Sequence, residues 1–284
     1  MKAGYKEKRT AITVIYHVFT LFFACVMIYP LVWMVMSSFK DTNEIFRTAA
    51  SLLPKKFSFE NYKVGWQGFA GYSFGLFFKN SFIIAGVSTI GAVISSAVVA
   101  YGFARIDFKF KGFWFGCMLL AMMLPFQVIV IPQYIIFNKM GWVGSYLPLI
   151  VPQFFGQGFF IFLNVQFIKG IPVDLDEAAR MDGCSIYSIF TRIILPLVKP
   201  SLVTSAIFSF MWRWADFLSA LLYLSDPLKY PVSYALKMFS DPTAGSDWGA
   251  MFAMATLSLI PIFLIFLTMQ KYLVEGIAST GIKG

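Results

Sequence analysis

Apolar runs too long for an ordinary soluble helix recur along this chain, and they fix its environment before anything else does. Six stretches, near 12–36, 80–104, 112–136, 146–168, 201–224 and 249–270, each hold roughly 20–25 mostly uncharged residues. About 20 such residues in a helix cross ~30 Å of hydrocarbon. Only 13% of the residues are charged, well below the roughly 25% of soluble domains, so the apolar surface suits lipid and not an oversized soluble core. Lipid gives backbone groups no hydrogen-bond partners, which leaves helices or closed barrels, and runs of this length read as helices. The expectation is an all-α integral membrane protein with six transmembrane helices. The first run follows a basic segment and is too long for a cleavable signal, so it reads as a signal anchor.

Lys and Arg orient the spans. With the N-terminus inside, Lys2, Lys6, Lys8 and Arg9 lie in the cytoplasm. So do Arg105, Lys109 and Lys111, then Lys169, Arg180, Arg192 and Lys199, then Lys271 and Lys283. The two short outside loops hold only Lys139, Lys229 and Lys237, and the long loop 37–79 counts for less under the rule. Both termini are expected to be cytoplasmic. The formal net charge of +9 is then mostly a topology signal, and no nucleic-acid partner is expected. Cys25, Cys117 and Cys184 are far apart and His17 is the lone histidine, so neither a metal site nor a His-containing catalytic triad is expected.

One inside loop departs from the apolar background. In "IPVDLDEAARMDG", Pro172 suits a helix entry, and Asp174, Asp176 and Glu177 place negative charge in the first turn, where the helix dipole favours it. Gly183 can end that helix. A second helical stretch follows, and Pro196 breaks the chain before the fifth span. The order Glu177-Ala178-Ala179, then Gly183, then Ile193-x-Leu195-Pro196 is a long and particular pattern.

That pattern resembles the EAA loop of permease subunits of bacterial ABC importers, and its place before the penultimate span also fits. More of the chain is similar to the carbohydrate-importer, MalG-like branch: "SLLPKKFSFENYKVGW", "MLPFQVIVIPQYIIFNKMGWVGSYLPLIVP", "WRWADFLSALLYL" (with Ala215 where the branch usually has Asn) and the tail "KYLVEGIASTGIKG". The resemblance implies a type I importer permease (MetI-like) fold in a bacterial cell membrane. It implies a segment 1–79 with the first span and a long external loop, then a core 80–284 containing the coupling loop at about 171–200. In that family the loop forms a helix seated in a cleft of the ATPase. Glu177, Ala178, Ala179, Arg180, Asp182 and Gly183 would then make that contact, with the alanines permitting close approach and Gly183 the turn. The tail would reach the ATPase dimer. The implied partners are a second permease subunit, two ATP-binding cassette subunits, an extracellular or periplasmic solute-binding protein, a sugar and the lipid bilayer. No cofactor is expected on this chain, because ATP and Mg are used by the partner ATPase.

The spans carry polar stripes of their own. On a continuous helix, Ser205, Ser209, Trp212, Arg213, Asp216 and Ser219 fall within an arc of about 120° at ~100° per residue. Gln153, Gln157 and Asn164 repeat the arrangement in span four. Polar groups in lipid are costly unless satisfied, so such stripes are either helix–helix contacts or the wall of a wet translocation path where Trp rings could stack on sugars. In span two, Ser88, Ala92, Ser96 and Ala100 recur every fourth residue, as close helix contact requires. His17 reads as an interior or interfacial residue. Pro125, Pro132, Pro152 and Pro261 are expected to kink their spans.

The chain has no GxxxxGK[ST] loop and so no ATPase of its own. The alternatives are the same architecture importing a sugar or polyol phosphate or an acidic saccharide, or a secondary transporter. The last predicts internal repeats and midplane carboxylates, and only Asp216 qualifies. An intramembrane protease would need a Ser/His pair, paired Asp residues or HExxH in the spans, and none is present.

Overall fold

A computed structural model of the chain describes residues 2–69, 71–240 and 246–281, with side chains over 12–69, 71–240 and 246–272, and the regular elements among them are helices. In chain order, α1 (Lys2–Ser37) precedes two short helices, α2 (Thr42–Arg47) and α3 (Glu60–Gln67), and the long α4 (Phe74–Arg105). Helices α5 (Lys111–Met122) and α6 (Phe126–Lys139) follow, then α7 (Leu147–Ile150), a 3-10 turn (Val151–Phe155) and α8 (Gly158–Gly170). The polar loop is α9 (Asp174–Met181) and α10 (Ile186–Ile189), continued by a π turn (Phe190–Ile194) and α11 (Leu195–Leu197). The chain ends with α12 (Lys199–Trp214), α13 (Phe217–Tyr223), α14 (Val232–Phe239) and α15 (Trp248–Gly281). Among the described residues four helical segments are long and apolar enough to cross a membrane, or up to six if each bent pair is one span.

One bend and two helix breaks revise three of the expected spans. The third is not one helix over 112–136: α5 and α6 meet at 99°. Pro125 offers no N–H to continue the ladder and biases Leu124 away from helical backbone. The fourth is interrupted between the 3-10 turn and α8, where Gly156 takes φ +84°, a region costly for a side chain. The fifth does not run continuously over 201–224. Helix α12 stops at Trp214, and Asp216 caps a new helix by accepting a hydrogen bond from Ser219 N at 3.1 Å. Pro132 and Pro261 lie inside unbroken α6 and α15, unlike Pro125 and Pro152.

The chain divides into two compact units. The first comprises 1–71 and 238–257. From Ile12 to Leu31 the α1 side chains are exposed, His17 among them, so the interior place expected for His17 is not found within this chain. Its Nδ1 lies 2.7 Å from the Thr13 carbonyl. Beyond α1 the unit is held by polar contacts. Buried Asn61 donates to the carbonyls of Ser38 and Lys40 at 2.8 and 2.7 Å. The fully buried Lys40 ammonium donates to the Ser51 carbonyl at 2.5 Å. Asp247 caps α15 through Ala250 N at 2.9 Å and accepts from Thr42 at 3.2 Å.

The second unit, 72–237 and 258–284, is built around α4. Ser88, Ala92, Ser96 and Ala100 are all fully buried, as the small-residue stripe predicts. Helix α4 packs on both α8 and α12, whose backbones approach closely because these residues add little bulk. Serines also satisfy the broken span. Ser95 Oγ donates to the Gly91 carbonyl of its own helix at 2.7 Å and accepts from Gly156 N at 3.1 Å, while Ser96 Oγ accepts from Gln157 N at 3.0 Å. The backbone groups freed by the break therefore find partners on α4, as an interruption at membrane depth requires. Of the expected ATPase-reaching tail, 271–284, all side chains but those of Lys271 and Tyr272 lie outside the described residues.

Candidate functional sites

The polar loop folds as two helices with a sharp turn between them. Gly183 has φ +80°, its N–H donates to the Arg180 carbonyl at 3.0 Å, and Cys184 N donates to the Ala179 carbonyl at 2.9 Å. These two bonds form the Schellman pattern, which satisfies carbonyls left over at a helix end and needs a residue at positive φ. Ser185 then caps α10 by accepting from Ser188 N at 3.3 Å. The turn aims the loop outward. Glu177, Ala178, Arg180, Asp182 and Gly183 are exposed, with Met181 and Tyr187 exposed by 89% and 83%. Ala179 is buried instead and joins a core with Ala100, Tyr101, Val165, Ile168, Ile189 and Ile194. Of the two alanines, only Ala178 is therefore presented outward. The exposed face carries Asp174, Glu177 and Asp182 against Arg180, so it is acidic, with apolar groups among the charges.

Two residues that sequence reasoning missed fix this loop from behind. Asp176 is 2% exposed, and its Oδ2 lies 2.7 Å from Nε of Arg105, at the end of α4. The approach is a close ion pair and not a linear hydrogen bond, and Asp176 Oδ1 has no hydrogen-bond partner among the described residues. Arg105 Nη2 donates to the Ile171 carbonyl at 2.7 Å. In the sequence Arg105 counts only toward orientation and Asp176 only toward the helix dipole. The available signal is the spacing of Asp176 three residues before Ala179, which puts both on the inward face of α9.

The polar residues of the spans separate into two groups. Asn164, Ser205 and Ser209 are buried at 0%, 0% and 2% exposure. Asn164 accepts from Ser201 Oγ at 2.6 Å and donates to the Phe160 carbonyl at 2.8 Å and to Ser205 Oγ at 3.4 Å. These contacts tie α8 to α12, and all three residues are shut off from solvent within this chain. Gln157 and Trp212 instead share a cavity of about 580 Å³ with Met118, Met122, Phe155 and Phe159, and among the described residues no charged one lines it. One face of Trp212 stacks on Phe160 at 5.4 Å and 21°, and the side chain remains 47% exposed. Gln153 sits in the 3-10 turn and not on the α8 face with Gln157 and Asn164, because the helix breaks between them.

Arg213 and Asp216 do meet, at 3.0 Å between Nη1 and Oδ2, with side chains 26% and 18% exposed. They line a separate narrow crevice with Ile84, Leu149, Ala220 and Pro231. The single arc expected for span five is thus divided: Trp212 faces the large cavity, Ser205 meets Asn164 of α8, and Asp216 caps α13. Among the described residues no group of His, Cys, Asp and Glu is arranged to hold a metal.

A family model described as "Binding-protein-dependent transport system inner membrane component" matches residues 91–279. The probable ABC transporter permease protein YurM of Bacillus subtilis is 38% identical over 94% of this chain and 87% of its own length. The galactooligosaccharides transport system permease protein GanQ of B. subtilis is 30% identical over 100% of both chains. The trehalose/maltose transport system permease protein MalG of Thermococcus litoralis is 30% identical over 92% of this chain and 93% of its own. In fold, the chain is similar to a crystal structure of a bacterial ABC transporter involved in the import of the acidic polysaccharide alginate, with a TM-score of 0.80, 20% identity, and coverage of 93% of this chain and 96% of that one.

Proposed function

This chain belongs to the family of binding-protein-dependent transport system inner membrane components, and from that membership we propose that it forms half of the membrane pathway of an ATP-driven importer for a neutral sugar or oligosaccharide. A second permease subunit supplies the other half in a bacterial cell membrane. A solute-binding protein delivers the sugar from outside, and two ATPase subunits drive the cycle, because this chain has no P-loop with which to hold ATP. The observation that carries the reading is the exposed acidic and apolar face of 173–187, anchored from behind by Arg105–Asp176. Glu177 pairs there with a basic residue of the ATPase, Ala178 permits close approach, and Arg180 and Asp182 flank the contact.

The saccharide class follows from relatives named for galactooligosaccharides and trehalose/maltose and from the large cavity. An exposed Trp edge, aromatic neighbours and one amide suit the apolar faces and hydroxyls of a sugar ring, and the volume lies in the range of small-ligand sites. The described lining carries no charge, so this half of the pathway offers an acidic saccharide or sugar phosphate no counter-ion. The test is uptake in proteoliposomes holding both permeases and the ATPases, with the binding protein outside and ATP inside. Neutral oligosaccharides should accumulate only with ATP, and sugar phosphates and uronate oligomers should not. Uptake driven by an ion gradient with the ATPases omitted would make the chain a secondary transporter.

The orientation gives an independent prediction. Cys184 is half-buried at the turn of the loop, so a membrane-impermeant maleimide should label it slowly, from the cytoplasmic side, and more slowly still once the ATPase is bound. Cys25 and Cys117, in α1 and α5, should label poorly from either side. Labelling of Cys184 from outside would invert the topology.

A further inference from the structure

Two residues one turn apart on α4 grip the two helices of the exposed loop separately. Arg105 holds the first, through the Ile171 carbonyl and the Asp176 carboxylate, both at 2.7 Å. Tyr101 holds the second: its hydroxyl donates to the Ile186 carbonyl at 3.3 Å and its ring lies 4.9 Å from that of Phe190. The Arg105 and Asp176 side chains are only 5% and 3% exposed. Apolar side chains of similar volume hold such a contact about as firmly as a desolvated ion pair does. What the arginine adds is direction, because its planar guanidinium hydrogen-bonds the Ile171 carbonyl while Asp176 balances its charge.

Farther along α4, Ser95 and Ser96 hold the broken backbone at Gly156 and Gln157, and both of those residues line the 580 Å³ cavity. Ser95 is ten residues from Arg105, about 15 Å along a rigid helix. A continuous set of contacts therefore runs from the outer face of the loop through Arg105 and α4 to the cavity wall. We propose that Arg105 is the positioning residue through which movement of the ATPase-facing loop is transmitted to α4 and so to the break at Gly156–Gln157, with Tyr101 as the second grip. This rests on the reading that the loop docks on a partner ATPase.

The test uses the assembled transporter in proteoliposomes, a cysteine-free background, Gln157→Cys as the reporter, and ATP with vanadate as the probe. Trapping nucleotide should change the maleimide labelling rate of the reporter by about fivefold or more, the lower end of ordinary site-to-site coupling. Adding Arg105→Gln should abolish that change while the ATPase still co-purifies, and Arg105→Lys, which keeps the charge but loses the planar fork, should restore little of it. A merely structural role would reduce the yield of complex and leave the change intact in what assembles. If Arg105→Gln does not assemble, the pair Arg105→Met and Asp176→Leu removes both charges at little change in volume, and the same loss of response is expected. A full response in the assembled Arg105→Gln or double variant overturns the proposal. Glu177→Lys is the control for the docking reading: if it binds ATPase and responds like the native chain, docking through this face fails, whatever Arg105 does.

Discussion

Replacing Gly183 by Pro should abolish transport, replacing it by Ala should weaken transport, and replacing it by Asn should be nearly silent. The order comes from one backbone angle. At φ +80° proline cannot be built, since its ring fixes φ near −65°, and it also removes the N–H that bonds the Arg180 carbonyl. Alanine keeps the N–H but pays about 1–2 kcal/mol for the left-handed region, whereas asparagine visits that region readily. Space is not the obstacle, because a Cβ at Gly183 meets nothing within 4 Å. Gly183→Pro should leave the spans inserted and re-aim α10 relative to α9, disturbing the ATPase contact proposed for Glu177. Glu177→Lys tests the same contact by charge alone, and truncating or reversing one partner of an interfacial charge pair costs on the order of 2–5 kcal/mol. Binding-protein-stimulated ATP hydrolysis and uptake should fall together in both variants, by about 30-fold or more at the lower figure. Unchanged stimulation in either variant would remove the loop from the energy-coupling path.

The sequence carries the spans and the loop because both are written as local patterns. Hydrophobic length, Lys and Arg bias and the Glu177–Gly183–Pro196 spacing each report on residues close together in the chain. The small-residue stripe of α4 is legible for the same reason: its period is that of the helix which buries it. What escapes is anything that depends on where a helix stops. Reading 201–224 as one helix puts Asp216 on the same stripe as Ser205 and Ser209, yet Asp216 stands at the start of a new helix. An Asp three residues before a serine N–H is an N-cap signal, but inside an apolar run it competes with the plainer reading of continuity. Likewise, Gln153 and Gln157 share a face only if Gly156 stays helical. The Arg105–Asp176 pair joins residues remote in sequence, and no period links them. Burial decides it, and burial is a property of the folded chain.

Breaking the Arg213–Asp216 pair should destabilise the protein through two distinct contributions, and the variants can separate them. Asp216 carries both: its Oδ2 meets Arg213 at 3.0 Å and its Oδ1 caps α13 through Ser219 N at 3.1 Å. Arg213→Met removes only the ion pair and leaves the carboxylate capping the helix. Asp216→Asn removes the charge but keeps a good capping group, so it should resemble Arg213→Met. Asp216→Leu loses both, and the cap alone is worth about 1 kcal/mol. The side chains are 26% and 18% exposed, between the surface pairs worth about 0–1 kcal/mol and the buried ones whose breakage costs ~3–5, so a loss of about 1–3 kcal/mol is expected for either charge alone. Removing both with Arg213→Met and Asp216→Asn should cost less than the two single losses added, because no unpaired charge is left behind. The measurement is a double-mutant cycle on the thermal stability of purified complex, run beside uptake per assembled complex. The pair lines the narrow crevice with Ile84, Leu149 and Pro231 and not the large cavity of Trp212, so the coupling should appear in stability and leave uptake per complex little changed. Additive losses in stability would show that the two charges do not sense each other, and coupling confined to uptake would place them on the sugar's route.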